Sequence, residues 1–190
     1  AWRIGFQSAN LILERPLQDH GDHLRQLGLS VWGTATMRTG GDDIAQAMAL
    51  MGVRPVWATG SQRVDDFEIL PVSLLDRPRV DVTLRVSGFF RDAFANLIRL
   101  FDAAVQAVAA LDEPDELNPL AAKVRAEREQ LEREGIAPQA AARQAGWRIF
   151  GAKPGAYGAG VQNAIDGRVW QSREDLAEVY LNWGGYAYGG

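Results

Sequence analysis

The sequence predicts an α/β fold: an open, mostly parallel β-sheet flanked by helices, followed by a helical C-terminal part. Two observations lead to this prediction. Segments with the two-residue alternation of a strand are interleaved with segments whose apolar residues recur at helical spacing, and strands that alternate with helices favour an open layered architecture. The chain has 190 residues, of which 47% are hydrophobic and 23% charged, enough for one large domain with its own core.

The first elements alternate between helix and strand. Apolar residues at helical spacing predict a first helix, which Pro16 is expected to end or kink; these residues are Phe6, Ala9, Ile12 and Leu13. Leu27–Trp32 is predicted to be a buried strand that a glycine stops. Residues 33–41 are expected to form a glycine-rich loop, and a helix of small and apolar residues follows Asp42 and ends at Gly52.

The middle of the chain contains the clearest strand and the longest predicted helix. Residues 53–57 and 63–70 are strand candidates, and Pro55 indicates that the first of them lies at an edge or begins late. In the clearest strand, aliphatic residues on one face alternate with Asp81, Thr83 and Arg85 on the other; the aliphatic residues are Val80, Val82, Leu84 and Val86. An apolar stripe over five turns then predicts one helix, from Phe90 to Val108.

The second part of the chain is predicted to be mainly helical. Asn118 and Pro119 are a cap and first-turn pair for a highly charged helix that runs to Gly135. A short helix and the strand candidate WRIFG come next, and Ser172 with Asp175 forms a capping box for the last helix. We expect residues 1–111 to form the α/β sheet core and residues 112–190 a helical extension, with a glycine-rich loop, packed on the same domain.

Composition excludes several classes of protein. The net charge is −4 with scattered basic residues, which argues against a nucleic-acid-binding surface. The absence of cysteine excludes disulfides, iron–sulfur clusters and thiolate zinc sites. No segment approaches 18 consecutive apolar residues, and no signal-like start is present, so we expect a cytoplasmic protein. A first residue that is not Met, and an abrupt end at YAYGG, suggest a piece of a longer chain.

Two loops follow predicted strands and are therefore candidate binding loops, because ligands of open α/β sheets gather at the carboxyl ends of strands. GTATMRTGGDD offers Thr36, Arg38 and Thr39 for carboxylates or amides. The alternative is that Asp42 and Asp43 only favour the dipole of the next helix, with Arg38 as a surface charge. The second loop is SGFFRD.

Charged residues on the clearest strand suggest a second candidate feature. Asp81 and Arg85 lie four residues apart on its polar face. If the strand is central, both are buried and paired, and they could mark a cavity wall. If it is an edge strand, the face is solvated.

The segment GAKPGAYGAG is the most glycine-dense in the chain. Lys153 comes too early for a Walker loop, and the glycines have the wrong spacing for a dinucleotide fingerprint. The segment could still bend around a ligand, with Lys153 and Tyr157 as polar contacts, or be a turn without a ligand. The histidines, His20 and His23, are spaced for a metal but fit an exposed polar loop better.

Five long segments resemble the large subunit of the cobalt and magnesium chelatases, which insert metal into tetrapyrrole rings. These are VWGTATMRTGGDDIAQAMALMGVRPVW, DRPRVDVTLRVSGFFRDAFANLIRLFD, DEPDELNP, RIFGAKPGAYGAG and DLAEVYLNWGGYAYG. They are ungapped and in the family's order, and they cover nearly the whole chain from Leu29 onward.

The resemblance implies that the chain is the C-terminal portion of a much longer subunit, which binds tetrapyrrole and metal while AAA+ partner subunits hydrolyse ATP with Mg²⁺. The cobalt branch is the better match. It implies a ligase that inserts Co²⁺, its substrate metal, into hydrogenobyrinic acid a,c-diamide in cobalamin biosynthesis. The family's His/Glu segment has no counterpart here, since no histidine follows His23. We therefore expect the catalytic residues outside this chain, no metal ligands within it, and an isolated chain that is inactive.

We expect the loop at residues 33–41 to lie beside SGFFRD, so that arginines converge on the carboxylates of the ring. The candidate substrate-binding residues are Thr36, Arg38, Thr39, Asp42, Arg85, Arg91, Lys153 and Tyr157. Three alternatives stay open: a magnesium-chelatase fragment acting on protoporphyrin IX, a scaffold that docks the AAA+ subunits, and a free-standing small-molecule-binding domain.

Overall fold

The computed structural model of the chain describes residues 1–61 and 63–189 and confirms the predicted α/β class. The helices are α1 (Trp2–His20), α2 (Gly33–Thr39), α3 (Asp42–Met51), α4 (Val72–Leu75), α5 (Gly88–Ala93), α6 (Ala95–Ala109), α7 (Pro119–Arg133), α8 (Pro138–Ala145), α9 (Gln162–Asp166) and α10 (Arg173–Trp183). The strands are β1 (Gln26–Val31), β2 (Val53–Trp57), β3 (Val64–Ile69), β4 (Asp81–Val86), β5 (Ile149–Gly151) and β6 (Tyr186–Ala187). Across residues 1–61 and 63–189, none of the helices combines the length and the hydropathy needed to cross a membrane.

The main sheet has the strand order β1-β4-β5-β6. β1, β4 and β5 are parallel, and the short β6 runs antiparallel to β5. β2 and β3 form a separate antiparallel hairpin. Pro55 lies in β2, where it is tolerated because each strand of a two-stranded ribbon is an edge, as the sequence suggested.

Strand β4 is central, and its two faces are covered in different ways. The aliphatic face, with Val82, Leu84 and Val86, lies in the hydrophobic core, together with nearly all of α3 and the inner faces of α5 and α6. On the polar face Asp81 is buried and paired with Arg148 across 2.7 Å. The interpretation of the strand as central is therefore the correct one, with Asp81 buried and paired and Arg85 half-buried.

The first two elements differ from the sequence predictions. α1 does not end at Pro16 but continues to His20, after which Gly21 takes a left-handed conformation. A single proline removes one helical hydrogen bond, which does not by itself end a helix. The predicted buried strand is β1, which lies at the edge of the sheet with only Val31 buried. Trp32, predicted to be its last residue, follows β1 and is 59% exposed.

The predicted loop at residues 33–41 is mostly the helix α2. Threonine favours loops because its hydroxyl competes for backbone groups. Here those hydroxyls bond within the helix: Thr36 Oγ1 donates to the carbonyl of Trp32 at 3.0 Å, and Thr39 Oγ1 to that of Ala35 at 3.0 Å. Gly40, with a positive φ of 75°, ends the helix.

The helix predicted from Phe90 to Val108 is divided at Phe94, whose φ of −125° and ψ of 38° lie outside the helical region. The apolar stripe is nevertheless correct, since Phe90, Phe101 and Val108 are all fully buried. The Phe94 ring stacks on that of Phe90, with centroids 5.4 Å apart. α1, with 19 residues, is also longer than α6, with 15.

The C-terminal predictions agree well with the structure. Asn118 caps α7 by accepting a hydrogen bond from Ala121 N, and Pro119 opens the helix. Ser172 and Asp175 form the predicted capping box of α10. β5 and β6, which belong to the second part of the chain, extend the sheet that β1 and β4 begin.

A fully buried arginine ties the second part of the chain to the first. Arg79 donates to both carboxylate oxygens of Glu113, each at 2.8 Å, and to the carbonyls of Met51, Gly52 and Leu70. The Arg79 guanidinium holds the pKa of the Glu113 carboxyl below its ordinary value, and burial opposes this effect only in part. The ion pair therefore joins the end of α3, the end of β3 and the segment that leads into α7.

We predict that Glu113→Gln destabilises the chain by about 3 kcal/mol, because it leaves a buried guanidinium without its counter-charge. Since the pKa of Glu113 is lowered on folding, its contribution is complete above the unfolded pKa and is lost as pH falls through the folded one. The difference from wild type should thus shrink at acidic pH. Urea denaturation at several pH values measures this, with Glu129→Gln on an exposed part of α7 as the control. Equal unfolding midpoints at neutral pH would contradict the prediction.

Candidate functional site

The candidate site lies where three parallel strands end. Val31 of β1 pairs with Val86 of β4, which pairs with Gly151 of β5, so the three carboxyl ends lie side by side. Ligands of open α/β sheets bind at this edge. The segments that leave it are the start of α2, the start of α5 and the segment 152–160, here named the glycine-rich loop.

Ser87 joins the first two of these segments. Its hydroxyl accepts hydrogen bonds from the backbone N–H of Gly33 at 3.2 Å and of Phe90 at 3.1 Å, and so caps α5. Its own N–H donates to the carbonyl of Val31 at 3.0 Å. A side chain at Gly33 would lie 2.8 Å from Phe90 N, which explains the glycine. The start of the 33–41 segment therefore lies beside SGFFRD, as expected, whereas its other end, from Thr39 to Gly41, lines a separate cavity.

Arg91, at the end of SGFFRD, holds the glycine-rich loop. Its Nη1 donates to the backbone carbonyls of Ala152 at 3.0 Å, Lys153 at 2.9 Å and Ala156 at 3.1 Å. Its Nε and Nη2 donate to the two carboxylate oxygens of Asp92, at 2.6 and 2.8 Å. The side chain is 6% exposed. Its hydrogen bonds thus lie within the chain.

Tyr157 covers this arrangement from the loop side. Its hydroxyl donates to Asp92 Oδ2 at 2.6 Å, and its ring centroid lies 5.3 Å from the Arg91 guanidinium carbon. The hydrogen bonds from Arg91 and then from Tyr157 lower the pKa of Asp92 to about 2, while the bond to Asp92 raises the pKa of Tyr157. The carboxylate is therefore charged and the phenol protonated throughout the neutral range.

Arg85 contacts α10 at the same edge of the sheet. Its guanidinium carbon lies 4.3 Å from the centroid of the Tyr180 ring, and Nη2 donates to the Tyr180 carbonyl at 3.3 Å. The guanidinium occupies the place where a side chain at Gly184 would lie, since a Cβ there would be 1.4 Å from Nη1. Glycine at position 184 thus allows Arg85 to stack on Tyr180.

Two hollows open at this edge. A cavity of about 110 Å³ is lined by residues from the ends of β1 and β4, from the glycine-rich loop and from α10; among them are Trp32, Arg85, Ser87, Ala152, Gly158 and Tyr180. A larger depression of about 590 Å³ is lined by Lys153, Val179, Asn182, Trp183, Gly185 and Tyr186. Aromatic rings and the cationic side chains of Arg85 and Lys153 therefore border the same edge.

The structure brings half of the predicted site residues together. Arg85, Arg91, Lys153 and Tyr157 gather at the carboxyl edge. The others lie on α2 and at the start of α3; these are Thr36, Arg38, Thr39 and Asp42.

Of this second group, Thr36 is buried and Arg38 is exposed. The Asp42 carboxylate accepts a hydrogen bond from Asp43 N at 3.0 Å. Thr39 lines a separate cavity of about 510 Å³, whose other walls come from α1, α3, α6 and the hairpin.

Sequence reasoning missed three residues of this site: Ser87, Asp92 and Tyr180. The first two were within reach, because a serine before a helix is a capping signal and Asp92 directly follows Arg91. Tyr180 carries no such signal, since it lies 95 residues from Arg85. Within residues 1–61 and 63–189, no three His, Asp or Glu side chains lie close enough to hold a metal ion, and His20 and His23 are both exposed.

We predict that Gly184→Ala displaces Arg85 and costs about 1–3 kcal/mol of stability, the usual cost of overpacking. In an Arg85→Ala background the same change should cost much less, because the displaced group is absent. Denaturation of the four chains of this double-mutant cycle measures the coupling. Gly28→Ala, where a Cβ meets no atom within 4 Å, is the control. Equal costs in the two backgrounds would refute the steric role of Gly184.

Comparison with known proteins places the chain in a family. A family model described as CobN/Magnesium Chelatase matches residues 1–190. The chain is 85% identical over 189 residues to the aerobic cobaltochelatase subunit CobN of Pseudomonas aeruginosa and 58% identical to that of a Sinorhizobium species, in both cases over 100% of this chain and 15% of the relative. It is 35% identical to the chloroplastic magnesium-chelatase subunit ChlH of Oryza sativa subsp. japonica, over 96% of this chain and 13% of the relative.

A solved structure agrees with these sequence matches. The catalytic subunit of cobaltochelatase from Mycobacterium tuberculosis superposes with a TM-score of 0.90 and 49% identity, covering 99% of this chain and 15% of that one. The chain thus spans about 15% of the length of these relatives. The chain belongs to the CobN/magnesium chelatase family and corresponds to a part of its large subunit.

Proposed function

We propose that the chain is part of the large subunit of a cobaltochelatase that inserts Co²⁺ into hydrogenobyrinic acid a,c-diamide during cobalamin biosynthesis. Identities of 85% and 58% to two subunits named aerobic cobaltochelatase support this branch of the family. Identities of 31% to 35% to the magnesium-chelatase subunits make magnesium and protoporphyrin IX the weaker alternative.

Within that subunit, we propose that the carboxyl edge of the sheet forms a wall of the tetrapyrrole site. The observation that carries this proposal is the depression of about 590 Å³, bordered by Lys153, Trp183 and Tyr186. A flat conjugated ring packs well on aromatic side chains, and its peripheral carboxylates pair with arginine and lysine. Arg85 contributes its charge from the adjoining small cavity.

The residues of α2 and α3 are proposed as a second contact region for the ring. Arg38 is exposed and near the end of α2, so its guanidinium group is available to bind a carboxylate. Thr36 and Thr39 donate their hydroxyl protons to the helix, so they would act by holding α2 in shape. Asp42 would favour the start of α3.

We propose, as the family resemblance implies, that separate AAA+ partner subunits hydrolyse ATP with Mg²⁺ and that the complex works in the cytoplasm. The glycine-rich loop, which lacks the lysine and hydroxyl spacing of a phosphate-binding loop, agrees with this division. We retain the division into residues 1–111 and 112–190 as two parts of one domain. The pairing of β4 with β5 supports their packing on one sheet.

The outer surface of the N-terminal helix α1 favours a second function, which is to dock another protein. Ile4, Leu11 and Leu17 of α1 are 57%, 67% and 43% exposed. Ile4 and Leu11, seven residues apart, lie on one face of the helix, and a contiguous exposed apolar face is typical of a surface that is covered in an assembly. The scaffold interpretation thus applies to α1, on a different part of the chain from the carboxyl edge.

We predict that Lys153→Ala in the full-length subunit weakens binding of hydrogenobyrinic acid a,c-diamide by about tenfold to a hundredfold, the usual cost of one charge-assisted contact. Arg38→Ala should act in the same direction. Quenching of tryptophan fluorescence during titration with the ring measures the affinity. Lys123→Ala on α7 is the matched control, and protoporphyrin IX, which should bind more weakly, tests the branch. Wild-type affinity in both variants would favour the docking function.

A further inference from the structure

We propose that Arg91 is a positioning residue, which holds the glycine-rich loop so that Lys153 faces the depression, and that it does not bind the ring itself. This inference rests on the proposed function and gives Arg91 a role other than the substrate contact that its sequence suggests. Three features support it: the groups that the guanidinium already binds, the shape of the loop and the place of Lys153.

The donors of Arg91 are engaged by its own chain. Three carbonyls of the loop and both carboxylate oxygens of Asp92 accept its hydrogen bonds at 2.6 to 3.1 Å. The side chain is buried beneath the ring of Tyr157. A ring carboxylate could reach it only by breaking contacts that the fold already makes, so a direct role would cost more than it gains.

The loop depends on these side-chain contacts because residues 152–160 contain neither helix nor strand. Gly155, Gly158 and Gly160 have φ values of 75° to 80°, a region that other residues rarely adopt. The Lys153 carbonyl accepts one backbone hydrogen bond, from Ala156 N at 2.9 Å, and side chains supply further partners for the carbonyls of this segment. Arg91 binds three of them, and the Tyr188 hydroxyl donates to the Ala152 carbonyl at 2.6 Å.

Arginine suits this role better than lysine. The guanidinium is a planar fork that meets a carboxylate with two nitrogens while its third nitrogen points elsewhere. Here the third nitrogen is Nη1, which faces the carbonyls of Ala152, Lys153 and Ala156. A single ammonium cannot span both sets of acceptors, so Arg91→Lys should release the loop or Asp92.

The hydrogen bonds from Arg91 to the loop carbonyls, here called the clamp, act on the residue that borders the depression. Arg91 binds the Lys153 carbonyl, while the Lys153 side chain lines the depression together with Trp183 and Tyr186. The Lys153 backbone is thus held through its carbonyl by a buried cation, while its side chain lies at the proposed ring site. Because rigid presentation reduces the entropy lost on binding, loosening the loop should weaken the contact that Lys153 makes.

The test uses the full-length subunit and two readouts. Arg91→Lys should raise hydrogen exchange of the hydrogen-bonded amides of residues 152–160, such as that of Ala156, which donates to the Lys153 carbonyl, by roughly tenfold or more, because local opening becomes easier. It should weaken binding of hydrogenobyrinic acid a,c-diamide by about tenfold, and in a Lys153→Ala background it should have little further effect. Arg99→Lys, an exposed arginine of α6, is the matched control and should change neither readout.

Asp92→Asn provides a second variant at an exposed position, should Arg91→Lys not fold. It removes the charge that Arg91 and Tyr157 share, and should accelerate exchange of the same amides to a smaller extent, by roughly threefold. Unchanged exchange in the variants that fold would overturn the proposed clamp. Additive effects of Arg91→Lys and Lys153→Ala on affinity would overturn its action through Lys153. A wild-type subunit that does not bind the ring would instead overturn the proposed function, since the exchange measurement needs no ring.

Discussion

Strand β4 pairs with β1 along its whole length and with β5 over its last three residues, and this central position decides the chemistry of the residues on it. A strand that is paired on both sides and covered on both faces cannot leave a charge unpaired. Asp81 therefore lies against Arg148, and Arg85 stacks on Tyr180 while its charge stays at the carboxyl edge. The aliphatic face of the strand, in contrast, joins α3 and α6 in one core.

Residues 87–92, directly after β4, organise the candidate site because they bind the segments that leave both neighbouring strands. Ser87 accepts from Gly33, which comes after β1, and Arg91 donates to the carbonyls that come after β5. This one short segment thus fixes the exits of all three parallel strands. The result is an edge whose aromatic rings and cations are held by hydrogen bonds within the chain, an arrangement suited to a rigid, flat and acidic ligand.

Local patterns in the sequence were sufficient to predict features that depend only on residues close together in the chain. The alternation in β4, the cap of α7 and the capping box of α10 are such cases, and the structure confirms each. The resemblance also identified the family correctly. Local patterns failed where the outcome depends on tertiary contacts: Phe94 interrupts a perfect apolar stripe, and β1 lies at an edge although its residues are typical of a buried strand.

The candidate site was predictable only in part for the same reason. Arg91, Lys153 and Tyr157 were recognisable as polar residues of predicted loops. Their contacts were not, because Arg91 and the carbonyls it binds are 61 to 65 residues apart. No spacing in the sequence reveals that an arginine is occupied by its own backbone. These hydrogen bonds are the reason that we propose a positioning role for Arg91 instead of a ligand contact.

The most direct test of this account is a structure of the full-length subunit with hydrogenobyrinic acid a,c-diamide bound. We expect the ring to lie in the depression beside Trp183 and Tyr186, with Lys153 Nζ within about 4 Å of a ring carboxylate, the usual limit of an ion pair. Arg91 should still donate to the carbonyls of the glycine-rich loop. A ring bound elsewhere, with Lys153 far from any carboxylate, or a ring carboxylate bound directly by Arg91, would contradict it.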